Sequence, residues 1–144
     1  MWFLACHGGA GTSLLTRVYA RHQARNAGRV WPLAQPPAPK SRVLLVARTD
    51  HRGLRSAQAA AQQWAAGYAP GVDLLGLVLI ADAPGKLPKP LAELAGLVAG
   101  GVPRTWRVPW VEDTRFGALP QPDHPALRDL TSNLAALLNG ATTR

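Results

Sequence analysis

Residues 7–13 hold the groups whose order suggests chemistry: His7-Gly8-Gly9-Ala10-Gly11-Thr12-Ser13. Glycines at 8, 9 and 11 let the backbone fold tightly around an anion, and amides at the start of a following helix point toward it. Such a loop grips through its main chain, so its geometry can outlive the side chains that perform transfer. Other chemistry is thin. His7, His22, His51 and His124 lack metal-ligand spacing, and Cys6 reads as a core residue on a strand. No G-x-S-x-G elbow is present, and the adjacent Glu112 and Asp113 read as carboxylates that solvate a loop.

The loop needs a strand before it and a helix after it, and the pattern supplies both. Trp2 to Cys6 is a short apolar run suited to a buried parallel strand. Leu14, Leu15, Val18 and Tyr19 recur at helical spacing, which predicts a helix from Thr12 to about Asn26 or Gly28. Arg17, Arg21 and Arg25 then share one helix face, either as a solvated basic face or as an anion-binding stripe.

Val30 to Leu33 is expected as an edge strand, and Ala34 to Ser41 as a stiff, Pro-rich connector. Arg42 to Ala47 is the clearest buried strand, followed by a helix from about Gly53 to Gly67. Leu74 to Ile80 is a second apolar strand, and Ala81 to Lys86 a loop. A helix over Leu87 to Ala99, a strand over Thr105 to Val108, an irregular stretch to Pro125 and a helix over Ala126 to Leu138 complete the chain. Trp106 and Trp110 flank Arg107; Trp106 reads as interior packing, and Trp110 is left open.

Strands alternating with helices predict a three-layer α/β sandwich around a mainly parallel sheet of about five strands. The 144 residues suit one domain spanning 1–144. Ligands on such sheets sit beyond the carboxyl ends of the strands, which gathers His7 to Ser13, Arg48 to Arg52, Asp82 to Lys86 and Pro109 to Asp113 at one rim.

The chain carries 47% hydrophobic and 17% charged residues, too apolar for a disordered segment. No apolar run approaches the ~20 residues of a membrane span, and the amino terminus lacks the pattern of a signal peptide, so a cytoplasmic location is expected. A net charge of +8 favours an anionic partner, nucleic acid or an acidic protein face. Asp50 is the first acidic residue, so no carboxylate in the first third can hold a metal.

The glycine segment resembles the deviant Walker A loop of the ParA/MinD family of P-loop ATPases, Lys-Gly-Gly-x-Gly-Lys-Ser/Thr. All three glycines and the hydroxyl of Ser13 match; His7 replaces the signature lysine and Thr12 the phosphate-binding lysine. Val43 to Thr49 and Leu77 to Asp82 look like later strands of that family. The resemblance implies a P-loop-NTPase-like sheet and ATP or GTP with magnesium at Gly8, Gly9, Ala10, Gly11, Thr12, Ser13 and Asp82.

A neutral hydroxyl at position 12 cannot supply the fixed positive charge that phosphoryl transfer relies on. The expectation is therefore a degenerate pseudo-ATPase acting as a binding or scaffold module. Family analogy extends this to mobile DNA, as in plasmid partition or conjugation, with a homodimer as one expected form. Two alternatives stay open. Asp82-Ala83-Pro84-Gly85 also fits the D-x-x-G signature, so a magnesium-dependent hydrolase could use Ser13 and Asp82, although a Pro-Gly turn explains the same residues. Thr12 reads equally as a helix cap and Ser13 as a first-turn helix residue. The other alternative is a nonspecific DNA-binding module built on Arg17, Arg21, Arg25, Arg52 and Arg55.

Overall fold

The computed structural model describes residues 1–111 and 119–143, with side chains to Leu138. Five strands, β1 (Trp2–Ala5), β2 (Arg25–Gly28), β3 (Ser41–Arg48), β4 (Val72–Ile80) and β5 (Thr105–Val108), form one sheet in the order β2-β1-β3-β4-β5. All four pairings are parallel. Four α-helices accompany them: α1 (Thr12–Val18), α2 (His51–Ala65), α3 (Lys89–Ala99) and α4 (Arg128–Thr143).

The unbroken apolar runs of β3 and β4 follow from burial on both faces. Alternate residues feed opposite cores. Leu44 and Val46 join Phe3, Leu15, Tyr19, Val78, Trp106, Leu130 and Leu134 on the side covered by α1 and α4. Val43, Leu45 and Ala47 join Leu54, Ala57, Leu77, Leu79, Ala95 and Val98 on the side covered by α2 and α3. Two helical layers around one parallel sheet make the three-layer α/β sandwich that the alternation of elements predicts.

One stretch departs from that reading. The helix expected to run to Asn26 or Gly28 ends at Val18. A short 3-10 turn, Ala20–His22, follows, and Gln23 takes a left-handed φ of 59°. The chain then turns back so that the Arg25 N–H donates to the Met1 carbonyl at 3.0 Å and β2 pairs with β1. The edge strand is thus Arg25–Gly28, whereas Val30 to Leu33 is irregular. Gly76 shows a tighter constraint within β4: a Cβ there would come within 2.4 Å of the Arg104 carbonyl oxygen, so glycine lets β5 approach.

With this strand order the chain leaves β1 toward β2 on one side and continues from β3 toward β4 and β5 on the other. The reversal lies between β1 and β3, where doubly wound sheets open a crevice at the carboxyl ends of their strands.

Candidate functional site: the glycine loop and Arg48

The crevice between β1 and β3 is bridged by side chains of this chain. His7, 4% exposed, accepts at Nε2 a hydrogen bond of 3.0 Å from the Arg48 N–H. That role fixes the tautomer, so Nδ1–H donates to the Gly8 carbonyl at 2.9 Å. His7 therefore ties the glycine loop to the end of β3. Position 7, where the resembling motif has a lysine, holds a buried brace.

Gly9 and Gly11 take left-handed φ values of 77° and 107°, which favour glycine. At Gly11 a Cβ would also stand 2.7 Å from Ile80 Cδ1. Gly11 is the residue that caps α1, without a side-chain hydrogen bond, and this corrects the reading of Thr12 as the cap. Thr12 is buried as the first helical residue, and its carbonyl accepts from Thr16 Oγ1. Ala10 is packed into the core beneath the loop. Ser13 is exposed in the first turn, and its Oγ accepts from Asn26 Nδ2 at 3.3 Å.

Three consecutive residues at the end of β3 organise the rim. The Arg48 guanidinium donates from Nε to the Gly9 carbonyl at 3.3 Å and from Nη1 to the Ala81 carbonyl at 3.4 Å. It therefore spans the loop after β1 and the loop after β4. Thr49 Oγ1 accepts from the Asp82 N–H at 3.2 Å. Asp50 caps α2, its carboxylate accepting from the Gly53 N–H at 2.6 Å. Among the described residues Arg48 has no carboxylate partner.

Ser13 and Asp82 have different neighbours. Ser13 is bonded toward β2, whereas the exposed Asp82 follows β4 and lines a cavity on the α2 and α3 side. Among the described residues no group of three His, Cys, Asp or Glu side chains is placed to hold a metal ion.

The basic stripe is also redistributed. Arg17 lies on α1, Arg21 in the 3-10 turn, and Arg25 on β2 over the Trp2 ring at 5.5 Å, so the three do not share a helix face. Arg25 sits at the amino-terminal end of β2, away from the loop. Arg52 and Arg55 are exposed near the start of α2, where three-residue spacing puts them on one face.

Trp106 is buried, as its pattern indicates, with the Arg104 guanidinium over its ring at 5.3 Å. Burial pushes the Cys6 thiol up to about 12, which suits a packing residue. Glu112 and Asp113, and with them the end of the Pro109 to Asp113 rim, lie outside the described residues. Sequence reasoning placed Arg48 on the rim as part of the segment to Arg52 and gave it no role of its own. Its signal was a cation directly at the carboxyl end of the strongest buried strand, the edge where parallel sheets bind ligands.

Fold and site together define a doubly wound α/β protein with a glycine loop at its switch point. The model of DUF6668, a family of unknown function, matches residues 1–128, and the chain belongs to that family. No curated protein and no solved structure matches it. Among the described residues no helix is long and apolar enough to cross a membrane.

Proposed function

We propose that this protein is a phosphate-binding module without phosphoryl-transfer chemistry, a degenerate ParA/MinD-like pseudo-ATPase that works as a binding or scaffold unit. The observation that carries this reading is the Arg48 guanidinium, laid against the glycine loop with no carboxylate to neutralise it among the described residues. A guanidinium beside backbone N–H groups attracts a phosphate, and its remaining N–H groups give charge-assisted hydrogen bonds. The two positions at which the motif has lysines hold His7 and Thr12, both buried. Neither supplies a fixed charge to the reacting phosphate, so binding is retained and transfer is lost.

Calorimetry with ATP, GTP and inorganic triphosphate, with and without magnesium, tests the reading. Saturable binding that does not need magnesium is expected, with no turnover. Absence of binding to all three would overturn the phosphate site. Steady hydrolysis that disappears in Gly11→Val would replace the pseudo-ATPase with a true hydrolase.

A second reading, binding to nucleic acid, is favoured by the net charge of +8 and by the exposed Arg52 and Arg55 near the rim. It predicts affinity for a DNA duplex that falls steeply with salt as counterions are released. A role with mobile DNA rests on analogy with the resembling family alone.

A further inference from the structure

The end of β5 carries an arginine on a face that is otherwise apolar. Trp106 and Val108 are buried in the core beneath α1 and α4, so strand alternation directs Arg107, between them, to the opposite face. The register sets Arg107 beside Leu79, and Leu79 beside Ala47, both completely buried. A guanidinium thus closes a row of apolar side chains across the sheet. Among the described residues the Arg107 guanidinium has no ion pair or hydrogen bond.

Arg107 lines a cavity of 610 Å³ at the carboxyl ends of β4 and β5. That volume lies within the roughly 300–1,000 Å³ of small-molecule sites. Leu87 and Leu91 provide apolar walls above the buried Leu79, and Asp82 and Lys86 stand with Arg107 around them. The wall over residues 81–88 is held in place: the Asp82 N–H is bonded to Thr49 Oγ1, Gly85 turns the chain at φ 90°, and Pro84 and Pro88 restrict it. Asp50 also borders the cavity, but its carboxylate accepts from α2. Lys86 and Arg107 are matched in number by Asp82 and Asp50, so the preference for an anion rests on the unpaired Arg107 guanidinium beside the apolar walls and not on net charge.

We propose that this cavity binds a small amphipathic anion, its flat or branched apolar body against Leu87 and Leu91 and its carboxylate or phosphate facing Arg107 and Lys86. A planar guanidinium presents paired N–H donors to such a group. An uncharged amide of the same shape offers Arg107 only a neutral carbonyl in place of a charge-assisted pair, so charge governs selection. Asp82 further favours a ligand carrying an N–H or O–H donor. The cavity adjoins the Arg48 site at Ala81, and Arg107→Ala and Arg48→Ala test the two separately.

The test is a backbone-amide NMR titration with 2-naphthoate, 2-naphthyl phosphate and uncharged 2-naphthamide. At least one anion should saturably shift the amides of the non-proline residues within 81–91 and of 107–108, and 2-naphthamide should bind at least tenfold more weakly. The tighter of the two anions identifies the acid group. Arg107→Ala should weaken that anion at least tenfold and so remove most of its advantage over 2-naphthamide, and Arg107→Lys should recover part of the loss. Arg107 is exposed, so a melting curve like the wild type's is expected for both variants. Equal affinity for anion and amide, shifts confined to other regions, wild-type binding by Arg107→Ala, or no binding by any of the three compounds would overturn the proposal.

Discussion

The N–H of Arg48 donates to Nε2 of His7 across 3.0 Å, joining the end of β3 to the loop after β1. Neither residue could make that bond from its own element. It holds the glycine loop at the switch point and leaves the Arg48 side chain free to lie over Gly9.

His7→Ala should therefore destabilise the fold, since it leaves a buried N–H unpaired and a void beside Gly53. A loss of about 2–3 kcal/mol is expected. In a chain of this length that lowers the melting temperature by roughly 4–12 °C, measurable by circular dichroism. His7→Lys should be worse, because it buries a charge without a partner.

Two glycines should respond oppositely to alanine. At Gly53 a Cβ would meet the Arg48 carbonyl oxygen at 2.3 Å and His7 Nε2 at 2.9 Å, so α2 must shift. Gly53→Ala should cost about 1–3 kcal/mol. At Gly96, within α3, a Cβ meets nothing within 4 Å. Gly96→Ala should stabilise by about 0.5–1 kcal/mol. Urea unfolding of the two variants checks the sign of each.

Arg48→Ala separates binding from folding. Its guanidinium bonds only to exposed or half-buried loop carbonyls, so a small stability change of about 1 kcal/mol is expected. Triphosphate affinity should fall by about tenfold to a hundredfold, the effect of removing a charge-assisted contact. Unchanged affinity by calorimetry would remove Arg48 from the site.

Alkaline pH should loosen the protein in a defined sense. Burial raises the Cys6 thiol from 9.0 to about 12 and moves the Tyr19 phenol upward, against a smaller downward effect of its bond to Thr131. Both groups are raised in the fold, so their stabilisation is complete below their unfolded values and is lost as pH climbs through the folded ones. Stability from urea titrations should decline above about pH 9. At pH 8 a thiol near 12 holds roughly a thousandfold less thiolate than one at 9, so Cys6 should resist alkylation in the native state.

Tyr19→Phe tests the clamp between α1 and α4. Thr131 Oγ1 donates to the Pro122 carbonyl at 2.6 Å, so the Tyr19 hydroxyl donates to Thr131 at 2.8 Å. Losing that bond should cost about 0.5–1.5 kcal/mol in a thermal melt.

The apolar runs of β3 and β4, the glycines before α1 and the Leu54, Ala57, Ala61 spacing of α2 were legible because each depends on local pattern. Parallel strands buried on both faces read as continuous apolar segments, and an amphipathic helix repeats within four residues. The class of fold was therefore readable. β2 was not: Arg25-Asn26-Ala27-Gly28 has no strand pattern, and its extended form depends on the ladder with Trp2 and Phe3. Helical periodicity through Tyr19 concealed the turn at Gln23, and the three arginines were read as a stripe along a helix that ends sooner.

By itself the sequence determined the two-sided sheet and the glycine-rich loop before α1, since these belong to residue type and short-range order. Only the tertiary structure decided the strand order, the meeting of His7 with Arg48 and the turning of Arg107 toward a cavity. The physical reason is distance along the chain. His7 and Arg48 are forty-one residues apart, and their contact exists because β1 and β3 pair side by side. Hydrophobic pattern states that a strand is buried, but which strand lies beside it is chosen by the packing of all the layers together.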